Sequence, residues 1–552
     1  CARMLRPPRK EPETGLRAAS ARLLGRMQAF YDVTLAVALR HKRITLCVAL
    51  GTLVLNVYLY VLVPKGFFPQ QDTGRLSGSM QAAQDVSFGV MERRLKEVMA
   101  IMKEDPDVEY VTGFIGGGGG GGTTANTARL FVTLAPFDRR GINADEVTTR
   151  LRRKLAGIPG ARTYLQLVQE LRVGGRNTSA GYQYTLQGER AGDLNEWAPR
   201  LLAKMRGLPQ IVDVNSDQLD KGLMQRVNID RATASRLGIT PQAIDAALYD
   251  AFGQRQVSVT YGSLNQYHVI MEVQPGHLQG PEGLRDIRVP GAGGAQVPLA
   301  VFTSHTSAPT TLAVNHQGQF PSVTLSFNLA PGVALGDAVT AIDAAKADTG
   351  LPSTIRGSFR GTAEAFQSSL KNQPLLILAA LVSVYIVLGM LYESLVHPVT
   401  ILSTLPSAGV GAVLALLATG TDLSIIAMIG IILLIGIVKK NGIMMVDFAL
   451  AAERGEGLSP EEAIVRACRL RFRPIMMTTM AALLGAVPLA LGTGVGSELR
   501  RPLGIAIIGG LLVSQMMTLY TTPVVYLYLD RLRLWALRRV PRGRMPEGAR
   551  NA

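Results

Sequence analysis

Six long apolar runs punctuate the chain, at 44–63, 374–391, 399–418, 423–450, 475–491 and 503–529. A helix of about 20 apolar residues crosses a bilayer core, so each run predicts a membrane span. The second and fifth are short and need their flanks. Between the first and second runs the pattern changes completely. That block of about 310 residues is far longer than an ordinary loop and must fold on its own.

Inside the block one pattern recurs four times: an amphipathic helix, a proline turn, then a strand. The helices are predicted at 91–103, 144–155, 194–205 and 336–347. Pro106, Pro159, Pro209 and Pro352 follow them, and strands are predicted at 108–111, 163–168, 211–214 and 353–359. A further strand precedes each helix, at 76–81, 128–134, 183–187 and 322–328. Two βαβ units make one βαββαβ sandwich of ferredoxin-like type, so two such subdomains are expected. The fold class is therefore an α-helical membrane bundle of six spans plus an α+β domain of two ferredoxin-like subdomains.

A strand-rich insert, with strands at 256–273 and 296–302, interrupts the second subdomain. The expected divisions are 1–43, a basic segment; 44–63, the first span; 64–172, the first subdomain; 173–218 with 318–365, the second; 219–317, the insert; 366–530, the five-span bundle; and 531–552, a basic tail.

Composition agrees with a membrane protein carrying a large soluble part. Hydrophobic residues make up 47% of the 552 residues and charged ones 18%. The formal charge of +16 could suggest nucleic acid, but it is concentrated at the termini and in Arg466, Arg469, Arg471 and Arg473 between two spans. That is the positive-inside pattern, it places both termini in the cytoplasm, and no nucleic-acid recognition motif accompanies it. Cys1, Cys47 and Cys468 are scattered and form no disulfide framework or metal spacing. The chain opens on Cys1 with a polar, basic stretch like an internal loop, and no cleavable signal peptide is visible. The expectation is a fragment of a longer protein.

Four polar residues interrupt the fourth span: Lys439, Lys440, Asn441 and Asp447. A charge at bilayer depth costs roughly 2.5–3.5 kcal/mol or more and is usually functional. Lys440 and Asp447 share a helix face about 10.5 Å apart, too far to pair. Lys440 therefore needs a carboxylate from another helix, or else it snorkels to an interface as an anchor. Lys439, one position round the helix, and Asp447 read as ancillary charges. In the next span Arg471 and Thr478 are also seven apart, and either extend a polar file or anchor the helix in the headgroups. Span glycines at 409, 411, 430, 436, 504, 509 and 510 read as packing positions. Seven glycines at 116–122 follow Phe114 and Ile115. No Gly-Lys-Ser/Thr follows them, so this is no phosphate loop. It is a mobile connection, either touching a substrate or inert. No catalytic arrangement, metal-spaced cluster or nucleotide loop is evident, so no enzymatic activity, metal or cofactor is expected.

These segments resemble the resistance-nodulation-division (RND) multidrug exporters over nearly the whole chain. The resemblance rests on PKGFFPQQDTG at 64–74, LYES at 391–394 with Pro398 and Pro406, GIVKKN at 436–441, and RFRPI at 471–475. LYESLVHPVTILSTLPSAGVG and GIVKKNGIMMVDFAL are most similar to the MdtB/MdtC-type subgroup. The resemblance implies the C-terminal half of an inner-membrane permease that exchanges protons for amphiphilic antibiotics, bile salts or detergents, driven by proton-motive force. It implies a homo- or hetero-trimer with a periplasmic adaptor and an outer-membrane channel, periplasmic porter subdomains and a docking insert. It assigns Lys440, Arg471 and Thr478 to the proton relay, with Asn441 beside them. It makes Phe114, Ile115, Gly116, Gly119 and Gly122 a loop at the substrate cleft. The family's aromatic loop tip is missing here. The relay's aspartate pair would lie in a missing N-terminal half, and Asp447 is not its counterpart. The competing readings are a SecD/SecF-like secretion accessory and a remnant of a disrupted exporter gene.

Overall fold

The computed structural model describes residues 16–116, 124–278, 280–492 and 494–539. Its first element corrects the sequence reading. Within the basic N-terminal stretch, Leu16–Arg40 is not a loop but helix α1. Tyr31, Leu35 and Leu39 recur every four residues and bury one stripe of it. Tyr31 stacks on Phe472 with ring centroids 4.8 Å apart, and its hydroxyl donates to the Leu519 carbonyl at 2.9 Å. Helix α2 (Lys42–Leu62) follows and leads into the soluble block.

The first sheet unit is β1 (Arg75–Ala82), α3 (Phe88–Lys103), β2 (Val108–Ile115), β3 (Thr127–Leu134), the one-turn α4 (Phe137–Arg140), α5 (Ala144–Leu155) and β4 (Ala161–Leu167). Its strands lie in the order β2-β3-β1-β4, and every neighbouring pair is antiparallel. In β1 alternate residues are buried, so Leu76 and Met80 face the helices. Helix α3 meets them with Met91, Leu95, Val98 and Met102, and α5 with Val147, Leu151 and Leu155.

The second unit begins with β5 (Tyr182–Gly188), α6 (Ala191–Arg206) and β6 (Ile211–Ser216). The insert follows: β7 (Gly222–Ile229), α7 (Arg231–Arg236), α8 (Pro241–Phe252), β8 (Arg255–Tyr261), β9 (Gln266–Met271), β10 (Arg288–Pro290), β11 (Gln296–Pro298), β12 (Thr303–Thr310) and β13 (His316–Gln317). It has a small core of its own around Ile239, Ile244, Val289, Leu299 and Phe302. Its β8–β9 hairpin stands clear of that core, with Tyr261, Leu264 and Tyr267 exposed. Then β14 (Phe320–Leu329), α9 (Leu335–Thr349) and β15 (Ile355–Arg360) complete the second unit. Its main strands run β6-β14-β5-β15, the same second-third-first-fourth order as the first unit.

The remaining helices are α10 (Thr362–Tyr392), α11 (His397–Leu402), α12 (Leu405–Ala418), α13 (Ile425–Glu456), α14 (Pro460–Leu491) and α15 (Ser497–Arg539). With α2, and with α11 and α12 taken as one, they give six helices long and apolar enough to cross a membrane. Helices α12 and α15 meet at Gly411 and Gly509, where a Cβ on either would strike the other's backbone. Gly510 lies against Leu434 of α13, and Gly504 against Leu489 and Ala490 of α14. Small residues thus let the backbones approach, as expected for membrane helices. Gly436 is the exception, because nothing lies within 4 Å of where its Cβ would be.

Candidate functional site: the two faces of α13

Helix α13 starts at Ser424, whose Oγ accepts the Ala427 amide at 3.2 Å, and stops at Gly457, which takes the left-handed conformation (φ 67°). Its inward stripe is Ala427, Gly430, Leu434, Val438, Asn441, Met445 and Ala449, all buried. Asn441 is 6% exposed and its Nδ2 donates to Gln515 Oε1 at 3.0 Å and Thr479 Oγ1 at 3.3 Å. Thr479 Oγ1 donates to the same Gln515 oxygen at 2.8 Å. One polar knot therefore ties α13, α14 and α15 together. Sequence reasoning grouped Asn441 with Lys440, but the structure turns the two onto different faces. It also missed Thr479 and Gln515, whose only signal was a polar residue within an apolar run.

The outward stripe contains Ile432, Leu433, Gly436, Lys440 and Asp447, all exposed. Lys440 lies 15 residues from the helix start, about 22 Å along the axis. It makes no hydrogen bond or ion pair among the described residues. Lys439 is half-buried between the two faces. Arg471 is half-buried on α14 and lays its guanidinium over the Phe448 ring, 3.4 Å from the centroid. Its Nε is buried without a hydrogen-bond partner among the described residues. Thr478 donates to the Ile475 carbonyl of its own helix at 3.1 Å. Among the described residues no hydrogen bond joins Lys440, Arg471 and Thr478 to one another.

The upper end of α13 is fastened to the soluble block. The Leu423 amide donates to the Pro64 carbonyl (2.9 Å) and Ile425 to Phe67 (3.0 Å). Gly66 is required there, since a Cβ would lie 2.8 Å from Asp422 Oδ2. Burial, then the nearby Asp337 charge, pushes the Asp422 carboxyl above the usual range. Six residues on, Asp72 accepts the Ala144 amide at 2.9 Å, so it caps α5, and it pairs with buried Arg140 at 2.5 Å. Burial pushes the Asp72 carboxyl up, yet Arg140 and the Ala144 and Gly74 amides outweigh it and hold the carboxyl below the usual range. The 64–74 segment thus runs from the start of α13 to the first sheet unit.

A cleft of about 1210 Å³ opens between the two sheet units and the upper helix ends. Aromatic Phe67, Phe68, Phe131 and Tyr182 line it beside Arg129 and Arg501. The Phe114 side chain is exposed and outside the cleft lining, although its ring lies 6.3 Å from that of Phe131. Ile115 ends β2, and Gly116 just after it donates its amide to the Thr127 carbonyl at 2.8 Å. Gly119 and Gly122 lie outside the described residues.

Comparison with known proteins places this geometry. Residues 1–530 match the model of the AcrB/AcrD/AcrF family. The chain is 54% identical over 513 residues to a multidrug resistance protein MdtC of Klebsiella pneumoniae subsp. pneumoniae, covering 93% of this chain and 50% of that protein. It is 52% identical over 534 residues to an Escherichia coli MdtC, covering 97% and 52%. The chain thus spans about half the length of the curated relatives it matches. A crystal structure of a heavy metal efflux pump superposes with a TM-score of 0.82 at 23% identity, over 92% of this chain and 53% of that one, and shows the shared fold.

Proposed function

Because the chain belongs to the AcrB/AcrD/AcrF family, a family of RND multidrug efflux pumps, we propose that it is the C-terminal half of a proton-driven drug exporter of the inner membrane. The observation that carries this is Lys440, an ammonium about 22 Å down an apolar helix, exposed on a face where it has no hydrogen bond or ion pair among the described residues. In lipid it would cost roughly 2.5–3.5 kcal/mol or more, so another helix bearing carboxylates covers it. The aspartate pair of an N-terminal half supplies that cover.

When the aspartates are ionised they hold Lys440. When a proton neutralises one, the hold weakens and α13 shifts, giving a two-state element biased by charge. Its upper end carries the 64–74 segment, so the shift reaches the sheet units through Gly66 and Asp72 and changes the cleft between them. Arg471 and Thr478 flank the same seam. The sheet units, of ferredoxin-like type, serve as periplasmic porter subdomains, with amphiphilic antibiotics, bile salts or detergents as cargo. The insert is the docking part, and its exposed apolar β8–β9 hairpin favours a trimer, homo- or heteromeric, joined to an adaptor and an outer-membrane channel.

The test is ethidium efflux from vesicles under an imposed proton gradient. This chain co-assembled with an N-terminal half should export the dye, and the chain alone should not. Efflux by the chain alone would refute the half-permease reading.

A further inference from the structure

His397 opens α11 and is 1% exposed, yet neither ring nitrogen has a hydrogen-bond partner among the described residues. Its ring stacks on Tyr526 (centroids 5.9 Å, 21° between planes) and meets Tyr392 edge-on (6.4 Å, 67°). The Tyr392 hydroxyl and Thr522 Oγ1, one turn before Tyr526 on α15, are also buried and unpartnered. A buried polar atom left unpaired costs about 1–3 kcal/mol. Several converging on one spot are the setting that buried water occupies, with roughly three hydrogen bonds per molecule.

Ionisable groups surround this spot on every neighbouring helix. Helix α10 supplies Tyr392; α13 supplies Glu453 and Arg454; α15 supplies Tyr526, Asp530 and Arg533. The Tyr526 hydroxyl donates to Glu453 Oε1 at 2.6 Å, and buried Asp530 pairs with Arg533 at 3.0 Å. Glu453 lies about 20 Å beyond Lys440 along α13. Between them stands Asp447, close enough to act electrostatically on Tyr392.

We propose that His397 carries protons through a hydrated release path at the end of the bundle nearest Arg466–Arg473. The proposal rests on the proton-driven reading above. One ring nitrogen takes a proton from water on the Asp447 and Tyr392 side. The other gives its own proton to water on the Glu453 and Asp530 side, which leaves the imidazole neutral but in its other tautomer, and a ring flip of about 180° resets it. Imidazole suits this because one ring nitrogen donates while the other accepts.

The experiment uses the intact permease containing this chain in phosphatidylethanolamine/phosphatidylglycerol vesicles. Ethidium efflux is measured under a proton gradient while pH on the Arg466–Arg473 side is varied. H397Q removes the titration and keeps polarity; H397F keeps the ring stacking and removes both nitrogens. Both should slow maximal efflux by at least about tenfold, leave KM for ethidium unchanged and erase one titration step from the pH profile. If either variant is folded and keeps the wild-type rate and profile, His397 only packs and the proposal fails alone. If the wild type shows no gradient-driven efflux, the functional reading fails and takes this proposal with it.

Discussion

The two faces of α13 solve opposite problems. On the inner face Asn441 is polar, buried and satisfied by Gln515 and Thr479 of the same chain. On the outer face Lys440 is charged, exposed and without a hydrogen bond or ion pair among the described residues. A polar group in an apolar helix thus has two meanings, and the location of its partner separates them. An inner-face residue reports how this bundle holds together. An outer-face residue reports what the bundle must meet.

The contrast breaks most sharply under K440M in the co-assembled permease. Efflux should fall by at least about 100-fold, the scale of a lost proton-transfer group, with an unchanged melting temperature for this chain. A loss of stability instead would make Lys440 an inner-face residue in function. The glycines give the next test. G411L forces a side chain into the Gly509 backbone and should destabilise the purified chain by about 3 kcal/mol or more, read by thermal melting. G436L meets no neighbour, so it should leave the melt unchanged but block co-purification with an N-terminal half.

Smaller still, N441A leaves the Thr479 and Gln515 pair one donor short. It should lower stability by about 1 kcal/mol, the usual scale for interhelical hydrogen bonds in membranes, with transport reduced only in step with folded protein. The weakest effect is expected from T478V. Its hydroxyl bonds only its own helix, so stability should move by less than about 0.5 kcal/mol in the melt.

Much of this was legible in the chain. Period-2 and period-3.6 patterns placed β1, α3, α5 and β14 within a few residues, because each has one buried face. The six apolar runs fall largely within helices α2 and α10 to α15, legible from length alone because about 20 apolar residues cross a bilayer core. Helix α1 was not legible, since its buried stripe of Tyr31, Leu35 and Leu39 is thin and its remaining face strongly basic. Lys440 stood out from charge alone. Its separation from Asn441 did not, because adjacent residues on a helix point about 100° apart and only packing decides which turns inward. The His397 pocket was hidden for a related reason: its members come from α10, α11, α13 and α15, which no sequence spacing relates.

The outer face of α13 is, on this reading, a seam with carboxylates from outside this chain. Its most direct test is disulfide cross-linking in the co-assembled permease. Cys1, Cys47 and Cys468 are replaced by alanine, K440C is introduced, and a cysteine replaces each aspartate of the pair in the N-terminal half. Oxidation with copper phenanthroline is followed by gel mobility. The account predicts a cross-linked product from at least one of the two pairings. Efficient co-assembly with no cross-link from either pairing would contradict it.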